Sequence, residues 1–319
     1  MRGPRIKIPP RWALALALLG ALPWLAWAVV RLGGLERGYP LIAAMALTPY
    51  AAATAWMPVV VALVLRRRAV ALLALAPAVA LVLAVAPRAL GGPQDALPGG
   101  RSLSVMTANI RFGQADPRAL LAIAREHRVE VLSLQELTPD AVPRLDAAGA
   151  RALFPYRIID PRPGARGSGI LSRHPLADAR RSPPPGPAMP EATVALPGAR
   201  PLRVKAVHPV APAPGDTWRW KRDMDGLPRA AADGPLRMLI GDFNATLDHA
   251  RMRRVLDTGY VDAAERTGDG LRGSYWLIQI DHVLVDRRAR VIAASFHDLP
   301  GSDHDALTVT VSLPAASGG

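Results

Sequence analysis

The 319-residue sequence places polar side chains directly after several apolar stretches that are typical of strands, or directly before the last of them. Four carboxylates, two amides and two histidines make up the set: Asn109, Glu136, His208, Asp242, Asn244, Asp281, Asp303 and His304. Because strand ends meet along one rim of a sheet, these remote positions can build one site. Carboxylate and amide oxygens suit Mg²⁺, or Mn²⁺, with water and substrate phosphate completing the shell. The chain has no cysteine and no histidine cluster at short spacing, so the sequence does not favour zinc.

Each of these residues also has a purely structural interpretation. Asn109 could cap a turn, and Glu136 could be an exposed carboxylate at the start of a helix. Asp242 and Asn244, in the run GDFN, could shape the turn between a strand and a helix. His208 could be an ordinary loop residue, and Asp303 could be a turn aspartate. Chemistry is favoured by the order and context of the whole set rather than by any member alone.

That order resembles the endonuclease/exonuclease/phosphatase superfamily. The runs that carry the resemblance lie between residues 102 and 313 and are, in order, TANI, LQE, GILSRHPL, VH, GDFNA, IDHVLV and SDHDA. Any one of them is weak, whereas GDFN and SDH with QE upstream form a specific combination. The resemblance implies a four-layer α/β sandwich and a Mg²⁺-dependent hydrolase of phosphoric esters or pyrophosphates.

The resemblance also implies a metal site. Glu136 would be the main ligand, with Asn109 and Asp303 completing the site directly or through water. The sequence departs from the family pattern in two ways. No tyrosine is identified as the counterpart of one that some nucleases place near the phosphate, and SDHDA lacks the proline that many members carry two residues after the histidine. Neither departure removes one of the residues above.

The other roles implied by the resemblance concern water and phosphate. Asp242 would orient and deprotonate the attacking water, and Asn244 would hold the phosphate or Asp242. Asp281 would pair with His304 and keep it protonated, since an imidazole beside a carboxylate stays cationic near neutral pH. His208 would contact the phosphate. In-line phosphoryl transfer needs such positioning and the cancellation of charge on the equatorial oxygens.

The elements that must position these residues alternate between strands and helices from residue 102 to residue 314. Strands are predicted at Leu103–Ile110, Val129–Leu134, Tyr156–Ile159, Gly169–Ser172, Ala192–Leu196, Leu202–Val207, Leu236–Ile240, Trp276–Ile280, Val283–Val285, Val291–Phe296 and Ala306–Leu313. Helices are predicted from Asp116-Pro117, an N-cap followed by proline, and at Pro139–Leu153, Thr217–Ala232 and Ala245–Thr258. Two sheets covered by helices are the natural packing for this pattern.

The first 86 residues predict a membrane domain. Three uncharged apolar stretches of 19, 25 and 18 residues occur there: Trp12–Val30, Leu41–Leu65 and Ala69–Ala86. A spanning helix needs about 20 apolar residues, so three transmembrane helices are expected, and the prolines inside them are tolerated. Pro87–Arg101 is rich in glycine and proline and is expected to be a linker that reaches roughly 50 Å at about 3.3 Å per residue.

Basic residues in the short loops predict the orientation of these spans. Arg66, Arg67 and Arg68 separate the second and third stretches, and four further basic residues precede the first. We therefore expect a multi-pass protein of the bacterial cell membrane with a cytoplasmic N-terminus and everything after Ala86 outside. Ala26–Ala28 resembles a signal-peptidase site, so cleavage of the first segment stays open. Three spans before a small outward-facing member are similar to the teicoplanin-resistance type of this superfamily, which implies cell-wall chemistry and antibiotic resistance.

The charge distribution bears on the substrate. The net charge is +13, of which +8 falls in residues 1–100 and only +5 in the rest, a poor footprint for duplex DNA. We therefore expect the bilayer and a lipid-linked or membrane-proximal phosphate ester or pyrophosphate, such as an undecaprenyl carrier, as partners, with no specific nucleic acid. An outward-facing nuclease and a non-catalytic phospholipid- or glycopeptide-binding protein are the alternatives.

One further segment, Asp216–Arg222 with the sequence DTWRWKR, combines two tryptophans with three basic side chains. It is either the start of a helix with one tryptophan packed on the core or an interfacial loop. Indoles favour the headgroup level of a bilayer, and basic groups are attracted to anionic lipid. On the second interpretation the segment would seat a lipid headgroup at the active site.

Overall fold

The apolar N-terminal stretches form five helices in the computed structural model, which describes residues 10–316. In chain order these helices are α1 Pro10–Gly33, α2 Leu41–Met45, α3 Thr48–Thr54, α4 Met57–Val64 and α5 Arg68–Val85. Small side chains such as Ala28, Ala62 and Ala74 lie in the core of the bundle, where they let the helices approach closely. Many leucine and valine side chains point outward instead, among them Leu19, Val64, Leu72, Leu73 and Leu83.

The predicted second span is interrupted rather than continuous. Pro49 and Pro58 stand in the first turns of α3 and α4, where proline is tolerated because it donates no hydrogen bond. Within the described residues, one helix is long and apolar enough to cross a membrane, Arg68–Ala89, with a mean hydropathy of 2.7. Leu18–Gly33 and Thr48–Val64 are shorter apolar helices. Helices are therefore present in all three predicted stretches, but only one full-length span is found among the residues that the structure describes.

The rest of the chain forms twelve strands and six short helices. The strands are β1 Arg101–Asn109, β2 Val131–Gln135, β3 Tyr156–Asp160, β4 Ser168–Ser172, β5 Leu176–Arg180, β6 Glu191–Val194, β7 Leu202–Val207, β8 Leu236–Asp242, β9 Tyr260–Asp262, β10 Asp281–Asp286, β11 Arg290–His297 and β12 Ala306–Leu313. The helices are α6 Pro117–Glu126, α7 Ala141–Ala147, α8 Ala150–Leu153, α9 Thr217–Asp225, α10 Ala250–Asp257 and α11 Ala263–Thr267.

Two mixed six-stranded sheets result, with the orders β11-β12-β1-β2-β4-β3 and β5-β6-β7-β8-β10-β9. Among the described strands, only β1–β2 and β7–β8 are parallel pairs. One apolar core lies between the sheets and includes Val105, Val204 and Ile240. Separate cores form on the outer faces, one around Leu120 of α6 and one around Met252 of α10. The α/β sandwich with helices on both outer faces is the predicted fold.

Several predicted elements differ in extent. The stretch Trp276–Ile280 is not a strand, and Asp281 begins β10 instead of following a strand. The helix predicted over Pro139–Leu153 divides into α7 and α8 at Gly149, whose φ of +102° is unfavourable for other residues. The helices predicted over Thr217–Ala232 and Ala245–Thr258 are shorter, and β5 and β9 were not predicted. The Asp116 N-cap of α6 is confirmed, since its carboxylate accepts a hydrogen bond from the Arg118 N–H at 2.8 Å.

The segment predicted as a linker lacks helix and strand from residue 90 to residue 100, but it is packed on the sandwich. The N–H of Gln94 donates to the Val291 carbonyl, and the N–H of Val291 donates to the Gln94 side chain, both at 3.0 Å. The N–H of Leu97 donates to Ser312 Oγ at 3.0 Å. The sandwich is therefore held next to the bundle rather than extended away from it.

A buried ion cluster joins the two parts. Asp248 lies in the segment between β8 and α10. Its carboxylate accepts hydrogen bonds from Arg31 Nε at 2.6 Å and from both terminal nitrogens of Arg88 at 2.7 Å. Arg31 lies near the end of α1, and Arg88 follows α5. We call Arg31, Arg88 and Asp248 the junction cluster. Glu36 adds a bond from the Ala250 N–H at 2.5 Å. Because all of these groups are buried, the ends of α1 and α5 are fixed to the loop that follows β8.

Candidate active site

The predicted residues converge because of the strand directions. β1 and β2 run parallel, as do β7 and β8, so Asn109, Glu136, His208 and Asp242 all leave the sheets at the same rim. β10 and β12 run antiparallel to β8 and β1, and they therefore begin where those strands end. That topology brings Asp281, at the start of β10, opposite Asp242, and it brings the Asp303-His304 pair to the same rim.

Asn109 connects two carboxylates at the centre of this rim. Its Nδ2 donates to Glu136 Oε1 at 3.2 Å and to Asp242 Oδ2 at 3.1 Å. The second oxygen of Glu136 accepts the Phe112 N–H at 2.8 Å. Glu136 has a φ of +59°, an uncommon value for a residue with a side chain, and such strain concentrates at functional sites. The structure therefore brings together two of the three predicted metal ligands.

Asp242 is buried and surrounded by donors. Its Oδ1 accepts the Asn244 N–H at 2.8 Å, and His208 Nε2 lies 3.7 Å from its Oδ2. The Asn244 amide itself donates to the Pro209 carbonyl at 3.1 Å, so it fixes the segment after His208. Burial, together with the nearby Asp281 carboxylate, raises the pKa of Asp242. A carboxylate with a raised pKa is a stronger base than an ordinary aspartate.

His304 and Asp281 form a hydrogen-bonded pair, as predicted from the resemblance. The Nδ1 atom of His304 lies 2.8 Å from Asp281 Oδ2, and its Nε2 lies 4.0 Å from Asp242 Oδ2. Burial alone would lower the pKa of His304, but the Asp281 charge and hydrogen bond raise it to about 9. Ser274 Oγ accepts the Asp281 N–H at 3.0 Å and holds the start of β10 in place. The imidazole is therefore cationic near neutral pH.

Asp303 lies at the edge of the group. Its side chain is 33% exposed, and its Oδ2 lies 3.7 Å from Arg111 Nε. It lines the same cavity as Glu136 and Asp242, but a direct contact with either is not among the contacts of the described residues. The loop is fixed from behind, because Ser302 Oγ donates to the Asn109 carbonyl at 2.7 Å. Of the three predicted metal ligands, Asp303 is the one that stands apart, at the edge of the cavity.

A cavity of about 700 Å³ opens in front of these residues. Besides the acidic centre, its wall includes residues that the sequence analysis did not assign to the site: Arg111, Phe112, Arg166 and Tyr275. The ring of Tyr275 lies 4.7 Å from that of His304, centroid to centroid. Neither Tyr275 nor Arg166 carries a spacing or motif that marks it in the sequence.

The DTWRWKR segment forms the start of α9, and its two tryptophans differ. Trp220 is 1% exposed, lies in the core and donates to the Phe243 carbonyl at 3.3 Å. Trp218 is 56% exposed, lines the cavity, and has the guanidinium groups of Arg219 and Arg222 within 5.3 and 5.6 Å of its ring. The interpretation as a helix with one tryptophan on the core is therefore confirmed, and the other tryptophan stands at the cavity.

The donor set fits a hard divalent cation. The rim offers carboxylate and amide oxygens, and within the described residues two buried atoms at the centre, Asp281 Oδ1 and His208 Nδ1, have no hydrogen-bond partner. Asp242, Asp281 and His304 present ligand atoms within 4.8 Å of one another and form a second set able to hold a metal. Glu136 with Asn109 and Asp303 is the all-oxygen alternative that Mg²⁺ prefers.

Comparison with known proteins identifies the family to which this site belongs. Residues 106–304, more than half of the chain, match the sequence model of the endonuclease/exonuclease/phosphatase family. No curated protein matches. Humanized D. rerio TDP2 has 18% identity and a TM-score of 0.53, and the match covers 66% of this chain and 98% of that one. D. rerio TDP2 with a single-strand DNA product has 17% identity, a TM-score of 0.52 and the same coverage. A functionally unknown protein of Enterococcus faecalis V583 has 17% identity, a TM-score of 0.51 and coverage of 66% and 100%.

These structural likenesses are too distant in sequence to show more than the fold. The match to the family's sequence model is independent of them and spans the rim from β1 to His304. Together with a buried acidic centre that can hold a divalent metal, it makes the chain a phosphoesterase by family. This chain belongs to the endonuclease/exonuclease/phosphatase family.

Proposed function

We propose that this protein is a membrane-anchored, Mg²⁺-dependent phosphohydrolase that acts on a lipid-linked or membrane-proximal phosphate ester or pyrophosphate. The observation that carries the proposal is the junction cluster, in which Asp248 of the sandwich pairs with Arg31 and Arg88 at the ends of two apolar helices. The pairing fixes a phosphoesterase site beside a bundle whose surface is rich in leucine and valine. A family member that degrades soluble substrates has no need of such an attachment.

The site residues can divide the chemistry of hydrolysis among themselves. Asp242, with its raised pKa, accepts the proton of the attacking water, and Asn109 and Asn244 hold its carboxylate in place. His304, cationic beside Asp281, faces the phosphoryl group and offsets its charge. Glu136, Asn109 and Asp303 would hold the metal. When bound, Mg²⁺ supplies charge stabilisation to the phosphoryl oxygens.

The bundle supports a membrane location through its outer surface. Large apolar side chains cover it along α1, α4 and α5, an arrangement that is costly in water and expected in lipid. Arg88, just after the end of α5, binds Asp248 of the sandwich, so Arg66–Arg68 lie at the opposite end of α5, away from the sandwich. The positive-inside rule then puts these arginines in the cytoplasm and the active site outside.

The cavity supports a substrate larger than free phosphate. Its volume of about 700 Å³ is in the range of sites for drug-sized ligands. Three arginines, Arg166, Arg219 and Arg222, line the wall together with Trp218. Such a wall suits a second anionic group beside the reacting phosphate, as a pyrophosphate provides. An undecaprenyl carrier of cell-wall synthesis, and with it glycopeptide resistance of the teicoplanin type, fits this description.

A nuclease is the second candidate, because D. rerio TDP2, with the same fold, has been crystallised with a single-strand DNA product. The deciding experiment incubates the purified full chain with Mg²⁺, Mn²⁺ or EDTA and a panel of lipid pyrophosphates, lipid monophosphates, nucleotides and single-stranded DNA. Metal-dependent phosphate release from the lipid substrates is expected. Preferential cleavage of DNA would favour the nuclease, and binding of lipid without turnover would favour a non-catalytic binding protein.

The membrane location has its own test. Reporter fusions within Arg66–Arg68 are expected to be cytoplasmic, and fusions after Ala86 are expected to be extracytoplasmic. Replacing the three arginines by asparagine should scramble the insertion, because positive charge in short loops sets the orientation. A cytoplasmic report from the intact C-terminal region would overturn an outward-facing active site.

A further inference from the structure

A tight hairpin beside the active site exposes two large apolar side chains. Tyr275 and Ile278 exchange two backbone hydrogen bonds of 3.0 Å, which leaves Trp276 and Leu277 as a two-residue turn. Their side chains are 81% and 69% exposed, respectively. Trp276 has a φ of +50°, although glycine or asparagine is favoured at such a position. We call residues 275–278 the Trp276 hairpin.

The base of the Trp276 hairpin belongs to the active site. Tyr275 packs against His304 and forms an isolated β-bridge with it. Ser274 is the residue before Tyr275, and its carbonyl accepts the N–H of Asp305 at 2.8 Å. The Ser274 hydroxyl in turn accepts the N–H groups of Ile280 and Asp281 at 3.1 and 3.0 Å. These bonds fix the exposed turn at a set position relative to the catalytic histidine.

The tip of the hairpin faces the helix bundle. Tyr50, in α3, donates its hydroxyl to the Leu277 carbonyl at 2.8 Å. Tyr50 is itself exposed, as is Tyr39 in the segment before α2, and both lie at the end of the bundle that contacts the sandwich. The apolar tip is therefore attached to a helix of the bundle, whose outer surface also exposes large apolar side chains. Tyrosine and tryptophan at one end of a helix bundle are typical of the level of the lipid headgroups.

We propose that Trp276 and Leu277 insert into the boundary between headgroups and acyl chains of the bilayer that holds the helices. This inference rests on the proposed membrane location and deepens it, because it places the mouth of the active site at the depth of lipid phosphates. The substrate class is then a phosphate or pyrophosphate whose acyl or prenyl chain stays in the bilayer during hydrolysis. The lipid surface provides a partner for two side chains that would otherwise expose apolar area to water.

The absence of cysteine from the sequence allows a direct test of insertion. Leu277→Cys in the full chain is labelled with a nitroxide and reconstituted in vesicles of phosphatidylethanolamine and phosphatidylglycerol. Arg200→Cys is the matched control, because this exposed residue precedes β7 whereas the active-site residue His208 follows it. The label at position 277 should be more accessible to oxygen than to a water-soluble nickel chelate, and the label at position 200 should show the reverse. Chelate access at position 277 equal to the control would overturn the proposal, as would protection that depends on the protein-to-lipid ratio, which indicates a contact between copies.

Trp276→Gly tests the consequence for the substrate. Glycine tolerates the positive φ, so the hairpin is expected to fold, with thermal stability equal to or above that of the parent. Turnover of a long-chain lipid pyrophosphate in vesicles should fall by about tenfold through the loss of an interfacial indole, whereas turnover of a short-chain soluble analogue should change by less than about twofold. Equal losses on both substrates would show that the turn serves the chemistry through Tyr275, and no loss on either would show that it has no role. Should the parent hydrolyse neither substrate, the proposed function fails, and the labelling result alone decides whether the tip inserts.

Discussion

Asp242 ends β8 and Asp248 follows it in the next loop; both are buried, and their surroundings differ. Asp242 faces the cavity together with His208 and His304, and burial and the charge of the nearby Asp281 raise its pKa. Asp248 has both oxygens engaged by Arg31 and Arg88. Burial alone would raise the pKa of Asp248, but hydrogen bonds and charge from Arg88, and then from Arg31, hold it below its ordinary value.

The difference shows how the same type of side chain can be suited to proton transfer in one place and to joining two parts of the fold in another. A carboxylate with paired cations on all sides is locked in its charged form and cannot accept a proton at ordinary pH. A carboxylate that lies beside another acid and opens to a cavity keeps a higher proton affinity, so it can accept a proton from a group bound in that cavity. Comparing variants of the two aspartates therefore separates the catalytic machinery from the attachment of the sandwich to the bundle.

The largest effect on turnover is expected for Asp242→Asn. The amide keeps the size of the side chain but cannot take a proton from water, so kcat should fall by a factor of roughly 10²–10⁴. Thermal stability should stay close to that of the parent, because a buried like-charge contact with Asp281 is removed at the same time. Phosphate release and a melting curve measured on the same preparation check both statements. Parent-like turnover would remove Asp242 from the role of general base.

Asp248→Asn should have the opposite profile. It leaves two buried guanidinium groups without their counter-charge, and breaking a buried pair in this way costs about 3–5 kcal/mol of stability. The melting temperature should fall, and the segment from residue 90 to residue 100 should become sensitive to protease, while kcat of the molecules that remain folded is retained.

Glu130→Gln is the matched control for Asp248→Asn. Glu130 pairs with Arg101 and His174 at a position that is only partly buried, so its loss should cost less stability than the loss of the fully buried Asp248. Equal destabilisation by the two variants would show that the junction cluster contributes no more stability than the Glu130 pairs do. A loss of kcat in Asp248→Asn as large as that in Asp242→Asn would contradict the division between chemistry and architecture.

The metal ligands can be assigned by comparing Glu136→Gln with Asp281→Asn. If Glu136, Asn109 and Asp303 hold the ion, Glu136→Gln should weaken Mg²⁺ affinity by about 10–100-fold, as loss of groups around a metal does. Asp281→Asn should then leave that affinity nearly unchanged and lower kcat through His304. Calorimetric titration with Mg²⁺ and with Mn²⁺, alongside the metal dependence of turnover, measures both. The reverse order would assign the ion to Asp242, Asp281 and His304.

The fold could be predicted from the sequence where the apolar pattern is regular. β1, β7 and β12 lie close to their predicted positions, because buried strands give continuous apolar runs. Trp276–Ile280 has the same kind of run but begins with a turn, which the sequence does not indicate because tryptophan stands where glycine or asparagine is usual. The second apolar stretch of the bundle reads as one helix in composition, and only its prolines indicate the interruptions.

The site could be predicted only in its motif-bearing part. The eight residues chosen from the sequence all lie at one rim, and the structure shows which of them touch, but their roles stay predictions until variants are measured. Tyr275 was not found because it follows no motif and reaches His304 through a bridge between distant segments. Asp248 was not found because Arg31 and Arg88 lie 217 and 160 residues away along the chain.

The smallest expected effect is the pH dependence of the stability that Asp248 contributes, and it tests the same comparison of the two aspartates. The pKa of Asp248 is held below the ordinary value of 3.8, so its folded form binds a proton less readily than its unfolded form. The stability that it contributes is therefore complete above about pH 5 and is lost as the pH falls through the lowered pKa of the folded protein. Many carboxylates titrate in this range, so the informative quantity is the difference in melting temperature between the parent and Asp248→Asn. That difference should be constant from pH 8 to about pH 5 and should shrink below about pH 4. A difference that already shrinks between pH 7 and pH 5 would mean that Asp248, like Asp242, has a raised pKa, and the contrast between the two aspartates would be wrong.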